Sequence, residues 1–305
     1  MIRELKTWKI KWIDAVGLKS NEILNIVKDY KFHELDIEAC LEWNQKARID
    51  EYEDYSFIIF HFPKYNVRRK IYELNSFNIF IWKWFLITFR DFSWMNIDNI
   101  FSRYSEIWAW WKSWENIKVT TGYILYEITQ AMLEKMFKVS NTINREIKVI
   151  ESNVFDSWNS SLVRDIMIKK RNIILLRNMF KPQAYLFKHI EFVINKMYKW
   201  KMEVYFEDLE DKLSQIVSEI TILQEYIESV EDTFKTMIDI KTNFVIKVLT
   251  IFSAFMLPLT LITSFYGMNI DFPLWTTPSF VYILFFWSIM IMFMIYLILK
   301  KTWRF

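Results

Sequence analysis

Apolar and polar positions change their rhythm along this chain of 305 residues. Up to about residue 92, short apolar runs rich in aromatic and β-branched residues read as strands: Trp8–Ile13, Tyr55–Phe62, Ile71–Ile81 and Trp84–Phe89. The last two form a hairpin turning near Trp82–Lys83. Two short helices are expected among them, one capped by Ser20 and one from about His33 to Trp43. These elements predict an α/β sandwich over residues 1–95. From Met95 to Phe265 no run reads as strand. Helices are expected over roughly 96–115, 120–155, 159–180, 183–203 and 204–265, with Pro182 breaking the third from the fourth.

The fifth helix has the most regular pattern. Leu209, Leu213, Ile216, Ile220, Leu223, Ile227, Val230, Phe234 and Met237 fall at alternating spacings of four and three. That is a heptad seam, which implies left-handed supercoiling against neighbouring helices. No break separates it from Phe244–Phe265, a run of 22 residues whose single charge is Lys247, one turn from its start. A second run, Ser279–Leu299, has 21 residues and no charge. At about 1.5 Å per residue each run spans the hydrocarbon core of a bilayer, and Lys247 can reach the interface. The pattern therefore predicts a helical region over 96–203, a stalk over 204–243 and a first membrane helix over 244–265. A short loop over 266–278, a second membrane helix over 279–299 and a basic tail over 300–305 follow.

Charge sets the orientation. Lys235, Lys241 and Lys247 flank the outer end of the first span, the last of them one turn inside it, and Lys300, Lys301 and Arg304 follow the second, while the joining loop carries only Asp271. The positive-inside rule puts both ends in the cytoplasm and the loop outside. The start, MIRELKTWKIKW, has no apolar core of a secretory leader. The expected location is the cell (inner) membrane, multi-pass. The stalk from Met202 to Ile240 holds eleven acids against Lys212 and Lys235, a net of −9, although the whole chain is +3. A solvated helix face explains such acids. So does a sink for hard divalent cations beside a pore, since carboxylate oxygens suit Mg²⁺ and Ca²⁺.

Composition removes other classes. Gly17, Gly122 and Gly267 are the only glycines, too far apart for a phosphate-binding or dinucleotide-binding loop. Cys40 is the single cysteine, and His33, His61 and His189 are widely separated, so disulfide frameworks and zinc-protease motifs are excluded. No nucleophile–base pair is legible, and an enzyme is not expected. The small net charge gives no reason to expect a nucleic-acid partner. His61 sits in a strand pattern and reads as structural.

Two membrane helices in one copy cannot enclose a water-filled path, so they anchor a domain or assemble into a ring. On the first span Asn243, Ile246, Leu249, Ser253, Leu257, Thr260 and Ser264 fall on one face. Neutral polar rings alternating with aliphatic constrictions would suit a hydrated cation, because Mg²⁺ sheds water reluctantly and an aliphatic ring can gate by dewetting. The same stripe could also be polar glue between packed helices.

At the end of that span stands Tyr266-Gly267-Met268-Asn269, after the proline-containing run KTNFVIKVLTIFSAFMLPLTLITSF. This resembles the Tyr-Gly-Met-Asn signature of the CorA family of divalent-cation channels. Tyr205-Phe206-x-Asp208-x-x-Asp211 resembles the family too, as do His33, Leu35, Glu38 and Gln45. The resemblance implies a funnel-shaped homopentamer in the lipid bilayer, with a pore lined by the first membrane helix. It implies Mg²⁺ influx gated by cytoplasmic Mg²⁺, with Co²⁺ and Ni²⁺ as further cargo. It makes Gly267, Met268 and Asn269 the external ring that captures hydrated Mg²⁺. Thr260 and Asn243 would be polar rings, and Ile246, Leu249 and Leu257 the constriction. Regulatory acids between subunits would include Asp208, Asp211 and Glu38, with Asp232 at the cytoplasmic mouth. Here the sequence departs from the family pattern in three places: Glu34 stands for its proline, Ala39 for its aspartate, and Ser264 for a frequent glycine. The segment Arg164–Lys181 is basic where acids would be expected. A Zn²⁺ transporter of the same superfamily and a non-conducting scaffold are the competing readings. Met268 speaks against the first, since that branch usually carries Val or Ile there.

Overall fold

The computed structural model describes residues 1–7, 9–42, 45–110, 119–156, 160–199, 202–268 and 278–302. The chain divides into two units, Met1–Asp232 and Thr233–Phe305.

The first unit is built on a six-stranded sheet. Its strands are β1 (Ile2–Lys6), β2 (Lys11–Val16), β3 (Arg48–Glu51), β4 (Ser56–Asn66), β5 (Ile71–Ile81) and β6 (Phe85–Arg90). They lie in the order β1-β2-β6-β5-β4-β3. Only β2 and β6 run parallel. The β5–β6 hairpin turns at Trp82–Lys83, as its sequence predicts. Helices α1 (Ser20–Val27) and α2 (Glu34–Glu42) cover one face, where Ile23, Val27, Ala39 and Cys40 meet Tyr55, Phe57, Ile59 and Phe80. The other face meets α3 (Met95–Trp110) through Trp12 and Phe101, with ring centroids 4.9 Å apart. It also meets α5 (Ser160–Met197) through Phe60 and Phe187 at 5.1 Å. Both faces are thus buried, which is why β4 reads as a continuous apolar run rather than an alternation.

Several boundaries differ from the sequence expectation. The strand expected over Trp8–Ile13 lies at Lys11–Val16, with Trp8 outside the described residues. The shift buries Asp14, which local preference would keep out of a strand. Asp14 and Arg90 are fully buried and joined by two hydrogen bonds, at 2.7 and 3.1 Å. Arg90 also reaches Asp98 on α3 at 2.7 Å, and Arg3 pairs with both Asp14 and Asp98. Although burial pushes the other way, hydrogen bonds from Arg90 and Ser93 hold the Asp98 carboxyl below the usual range. The ion cluster thus ties the parallel strand pair to α3. Strands β1 and β3 were not anticipated. Both are edge strands rich in charge (IRELK and RIDE), which discourages edge pairing and hides the strand pattern. Helix α1 begins at Ser20 and its cap is Lys19, whose N–H donates to Glu22 at 2.8 Å.

Pro182 does not break a helix. Helix α5 runs unbroken through it for 38 residues. Its tertiary contacts outweigh the lost hydrogen bond. Gln183 is buried and clamps His61: its Oε1 accepts from His61 N–H at 2.9 Å, and its Nε2 donates to His61 O at 3.0 Å and to Met179 O at 3.0 Å. Three turns earlier Asn172 does the same for β5, accepting from Tyr72 N–H at 3.0 Å and donating to Lys70 O at 2.9 Å. The long β4–β5 hairpin outruns its neighbours β3 and β6, and these two amides satisfy its otherwise open edges.

Helix α4 (Thr121–Asp156) starts where Gly122 lies under the Tyr198 ring; a Cβ at 122 would stand 2.7 Å from that ring. Helix α6 (Glu203–Tyr266) is continuous for 64 residues and contributes to both units. Its heptad seam is buried from Leu209 to Val230 within this one chain, so it needs no second copy there. At about 1.5–3 kcal/mol per large apolar side chain, those seven positions strongly fix α6 in the first unit. In the second unit α6 is followed by α7 (Pro278–Thr302).

Candidate ion pathway and cation-sensing residues

The part of α6 beyond Thr233 has two distinct faces. Asn243, Ile246, Leu249, Ser253, Leu257, Thr260 and Ser264 are all exposed. Ile251, Ala254, Phe255, Pro258, Leu259, Ile262 and Tyr266 are half-buried. At ~100° per residue the covered set is centred about 200° around the helix from the exposed set. Helix α7 shows the complementary pattern, with Leu284 and Phe285 half-buried and Ser288 and Met292 buried. The polar stripe lies within the exposed part of α6, beside exposed apolar residues such as Phe252, Met256 and Leu261. Among the described residues α6 alone is long and apolar enough to cross a membrane, and none of its most apolar window is buried. In α7 a shorter apolar stretch, Tyr282–Met294, is described.

The hydroxyls on this helix have a fixed sense. Thr260 Oγ1 donates to Met256 O at 2.8 Å, and Thr250 Oγ1 donates to Ile246 O at 2.8 Å. Their protons are committed to the helix, and their lone pairs remain outward as acceptors. Such oxygens can accept hydrogen bonds from the water shell of a cation.

Helix α6 ends at Tyr266, and Gly267 follows it. Gly267 is not in the left-handed region; it keeps a helical bond, its N–H donating to Thr263 O at 2.9 Å. A Cβ there would approach that same carbonyl to 3.0 Å. A side chain at 267 would crowd that carbonyl, which favours glycine there. Met268 is exposed. Asn269 lies outside the described residues, as do positions 270–277 of the joining loop.

The four regulatory candidates do not converge in one chain. Among the described residues no group of three or more His, Cys, Asp or Glu side chains could hold a metal. Asp208 accepts from Lys212 at 2.6 Å and from Tyr126 OH at 3.3 Å. Glu38, Asp211 and Asp232 are exposed on their helices. Ala39 is buried against the sheet, a place where an aspartate could not reach solvent. The neighbouring acid Asp36 is instead buried, accepting from Tyr55 OH at 2.8 Å.

Sequence reasoning missed a joint between α5 and α6. Burial, and after it the charges of Glu210 and Glu207, push the Glu191 carboxyl above its usual range, with Glu203 adding to the effect. Lys188 offsets Glu210 at 3.2 Å. The signal was present as an acid on a basic helix, but only the packing shows which acids it faces. The basic segment of α5 also gains its explanation. Lys170 pairs with Glu231 at 2.7 Å, Arg177 donates to Gln224 at 3.1 Å, and Lys169 pairs with Glu146 on α4 at 2.7 Å. It is counter-charge for its helical neighbours. His61 is structural, as its pattern suggests: burial lowers its pKa, and Nε2 bonds Gln45 O at 2.8 Å. Burial pushes the Cys40 thiol well up, which makes it inert.

Comparison with known proteins adds an independent line. The family model described as "CorA-like Mg2+ transporter protein" matches residues 8–301. The "Cobalt/magnesium transport protein CorA" of Thermotoga maritima is 24% identical over 262 residues, covering 86% of this chain and 73% of that one. The complete structure of the CorA magnesium transporter from Methanocaldococcus jannaschii superposes with a TM-score of 0.78 at 18% identity, covering 97% of this chain and 92% of that one. The cytoplasmic domain of ZntB from Vibrio parahaemolyticus matches with a TM-score of 0.61 at 14% identity, covering 76% and 89%.

Proposed function

The chain belongs to the CorA-like Mg²⁺ transporter family, a family of transporters rather than of enzymes, and from that premise we propose that it is a Mg²⁺ channel working as a homopentamer in the cell membrane. The observation that carries this reading is the bare polar stripe of α6. Its covered residues lie on the opposite side of the helix, so the stripe is free to face an axis shared by several copies. A ring of such stripes encloses a path lined by acceptor oxygens at Asn243, Ser253, Thr260 and Ser264, with Ile246, Leu249 and Leu257 between them. An ion that keeps its water passes such a lining by exchanging hydrogen bonds rather than ligands.

In this reading the chain crosses the bilayer twice, with the first unit and both ends in the cytoplasm. Tyr266, Gly267, Met268 and Asn269 form the outer mouth, where Asn269 carbonyls accept from the hydration shell of the arriving ion. Asp208, Asp211, Asp232 and Glu38 lie at faces between copies, and cytoplasmic Mg²⁺ bridging them holds the ring shut. Co²⁺ and Ni²⁺, with similar hydration, are further cargo.

The test is uptake into cells lacking other Mg²⁺ transport. The channel reading expects Mg²⁺-dependent accumulation that Asn269→Ala abolishes; full uptake by that variant contradicts it. Competition with Zn²⁺ in the same assay separates the nearest alternative, since a Zn²⁺ transporter would be blocked by Zn²⁺ far below the Mg²⁺ concentration.

A further inference from the structure

The β4–β5 hairpin carries a basic tip well beyond the rest of the sheet. Strand β3 last pairs with it at Ile59, while β4 and β5 stay paired out to Asn66 and Ile71. The hairpin therefore runs past β3 by about 23 Å of strand. Its turn, residues 67–70, is fixed. Asn66 Oδ1 accepts from Arg69 N–H at 3.2 Å, and Asn66 Nδ2 donates to Glu73 at 2.8 Å. Lys70 closes the turn in the left-handed region, at φ 55°, and Asn172 holds its carbonyl at 2.9 Å. Over residues 64–73 the cations Lys64, Arg68, Arg69 and Lys70 face a single acid, Glu73. Lys64 lies over the Phe92 ring at 4.1 Å, and Arg69 pairs with Glu73 at 3.9 Å. The guanidinium of Arg68 and the ammonium of Lys70 are exposed and have no partner among the described residues.

A face of opposite charge lies on α6. Ile222, Glu225, Ser229 and Asp232, spaced three, four and three apart, are exposed on one side of that helix. Residues 222–232 contain four acids and no cation. Glu231 is taken by Lys170, and Glu228 accepts from Gln224 at 3.0 Å. Glu225 has no partner among the described residues.

Tip and face stand at the same height on opposite sides of α5. Lys170 meets Glu231 at 2.7 Å and Arg177 meets Gln224 at 3.1 Å, so seven residues forward on α5 match seven back on α6. Asn172, which holds the hairpin, is then level with Ser229, one turn from Glu225. At ~100° per residue Asn172 lies about 200° around α5 from Lys170, so the hairpin points away from the α6 of its own copy. Neighbours in a closed ring are related by rotation with no shift along the axis. With the axis along α6, unlike patches that meet between neighbours must share one height, as these two do.

We propose that the hairpin tip of one copy docks on this face of α6 in the next copy, with Lys70 against Glu225 and Arg68 beside Asp232. The inference rests on the homo-oligomeric reading given above. Because the turn is already fixed, docking orders little further chain.

The test uses the purified full chain with Lys70→Cys and Glu225→Cys together, treated with a short bis-maleimide. Covalent dimers and higher steps are expected on a denaturing gel, with neither single variant giving them. Co-expressed chains that carry one cysteine each should stop at the dimer. Without any cross-linker, Lys70→Glu should raise the protein concentration at half-dissociation roughly threefold, and adding Glu225→Lys should bring it back. A wild-type chain that is oligomeric by mass photometry, yet neither cross-links through this pair nor responds to the charge reversal, overturns the docking and leaves the channel reading standing. A monomeric wild-type chain overturns both.

Discussion

Thr260 Oγ1 gives its proton to the Met256 carbonyl at 2.8 Å, so what it can show an ion is an acceptor. A valine there keeps the shape and removes the oxygen. Thr260→Val should lower Mg²⁺ flux by roughly tenfold, equivalent to about 1.4 kcal/mol, while Thr260→Ser should retain it. Stopped-flow flux with a Mg²⁺-sensitive dye reads the difference, and an unchanged Thr260→Val would remove Thr260 from the lining. Asp14 works on stability alone. Removing it leaves the fully buried Arg90 with only Asp98 as a carboxylate partner, so Asp14→Ala should cost about 3 kcal/mol and lower the Tm by roughly 10 °C in detergent. Residues of this second kind were the hardest to read from sequence. Asp14 in a strand, Gln183 behind a proline and Asn172 in a basic helix each look locally unfavourable, and each is explained by a partner more than seventy residues away.

Among elements, the long helices were legible because their apolar periods persist over many turns, and β4, β5 and β6 because their runs are apolar. Strands β1 and β3 were not, since edge strands are short and charged. The continuity of α5 was hidden because proline's local cost is visible in sequence and the clamp that outweighs it is not. The bare and covered faces of α6 were half legible. The stripe could be written down from spacing, but which residues beside it are half-buried required the structure. The α5–α6 joint belongs to this scale as well. Glu191 holds its proton more tightly folded than unfolded, so it lowers stability at neutral pH, and that cost fades as pH falls through the raised carboxyl range. Glu191→Gln should therefore raise the Tm by roughly 1–3 °C at pH 7. The gain should shrink toward pH 4, as Glu191 itself takes up a proton. Differential scanning fluorimetry at both pH values checks the sign, and a gain that grows on acidification would contradict it.

For the whole molecule, a stalk with nine excess negative charges runs into a stretch that carries no charge between Asn243 and Ser264 except the half-buried Lys247. One copy of such a chain has no closed path for an ion. In the proposed ring of several copies, a neutral lining would meet an acidic collar, and the charge that attracts a divalent ion would also make the copies repel when the ion leaves. On that proposal, conduction and its control would rest on the same cation. The most direct measurement is Mg²⁺ flux through the purified chain in liposomes, with and without Mg²⁺ on the side of the first unit. The account predicts flux that is fast when that side is free of Mg²⁺ and falls at least tenfold when millimolar Mg²⁺ is present, as for a ligand that favours the closed ring by about 1.4 kcal/mol or more. Liposomes that conduct no Mg²⁺ under either condition would contradict it.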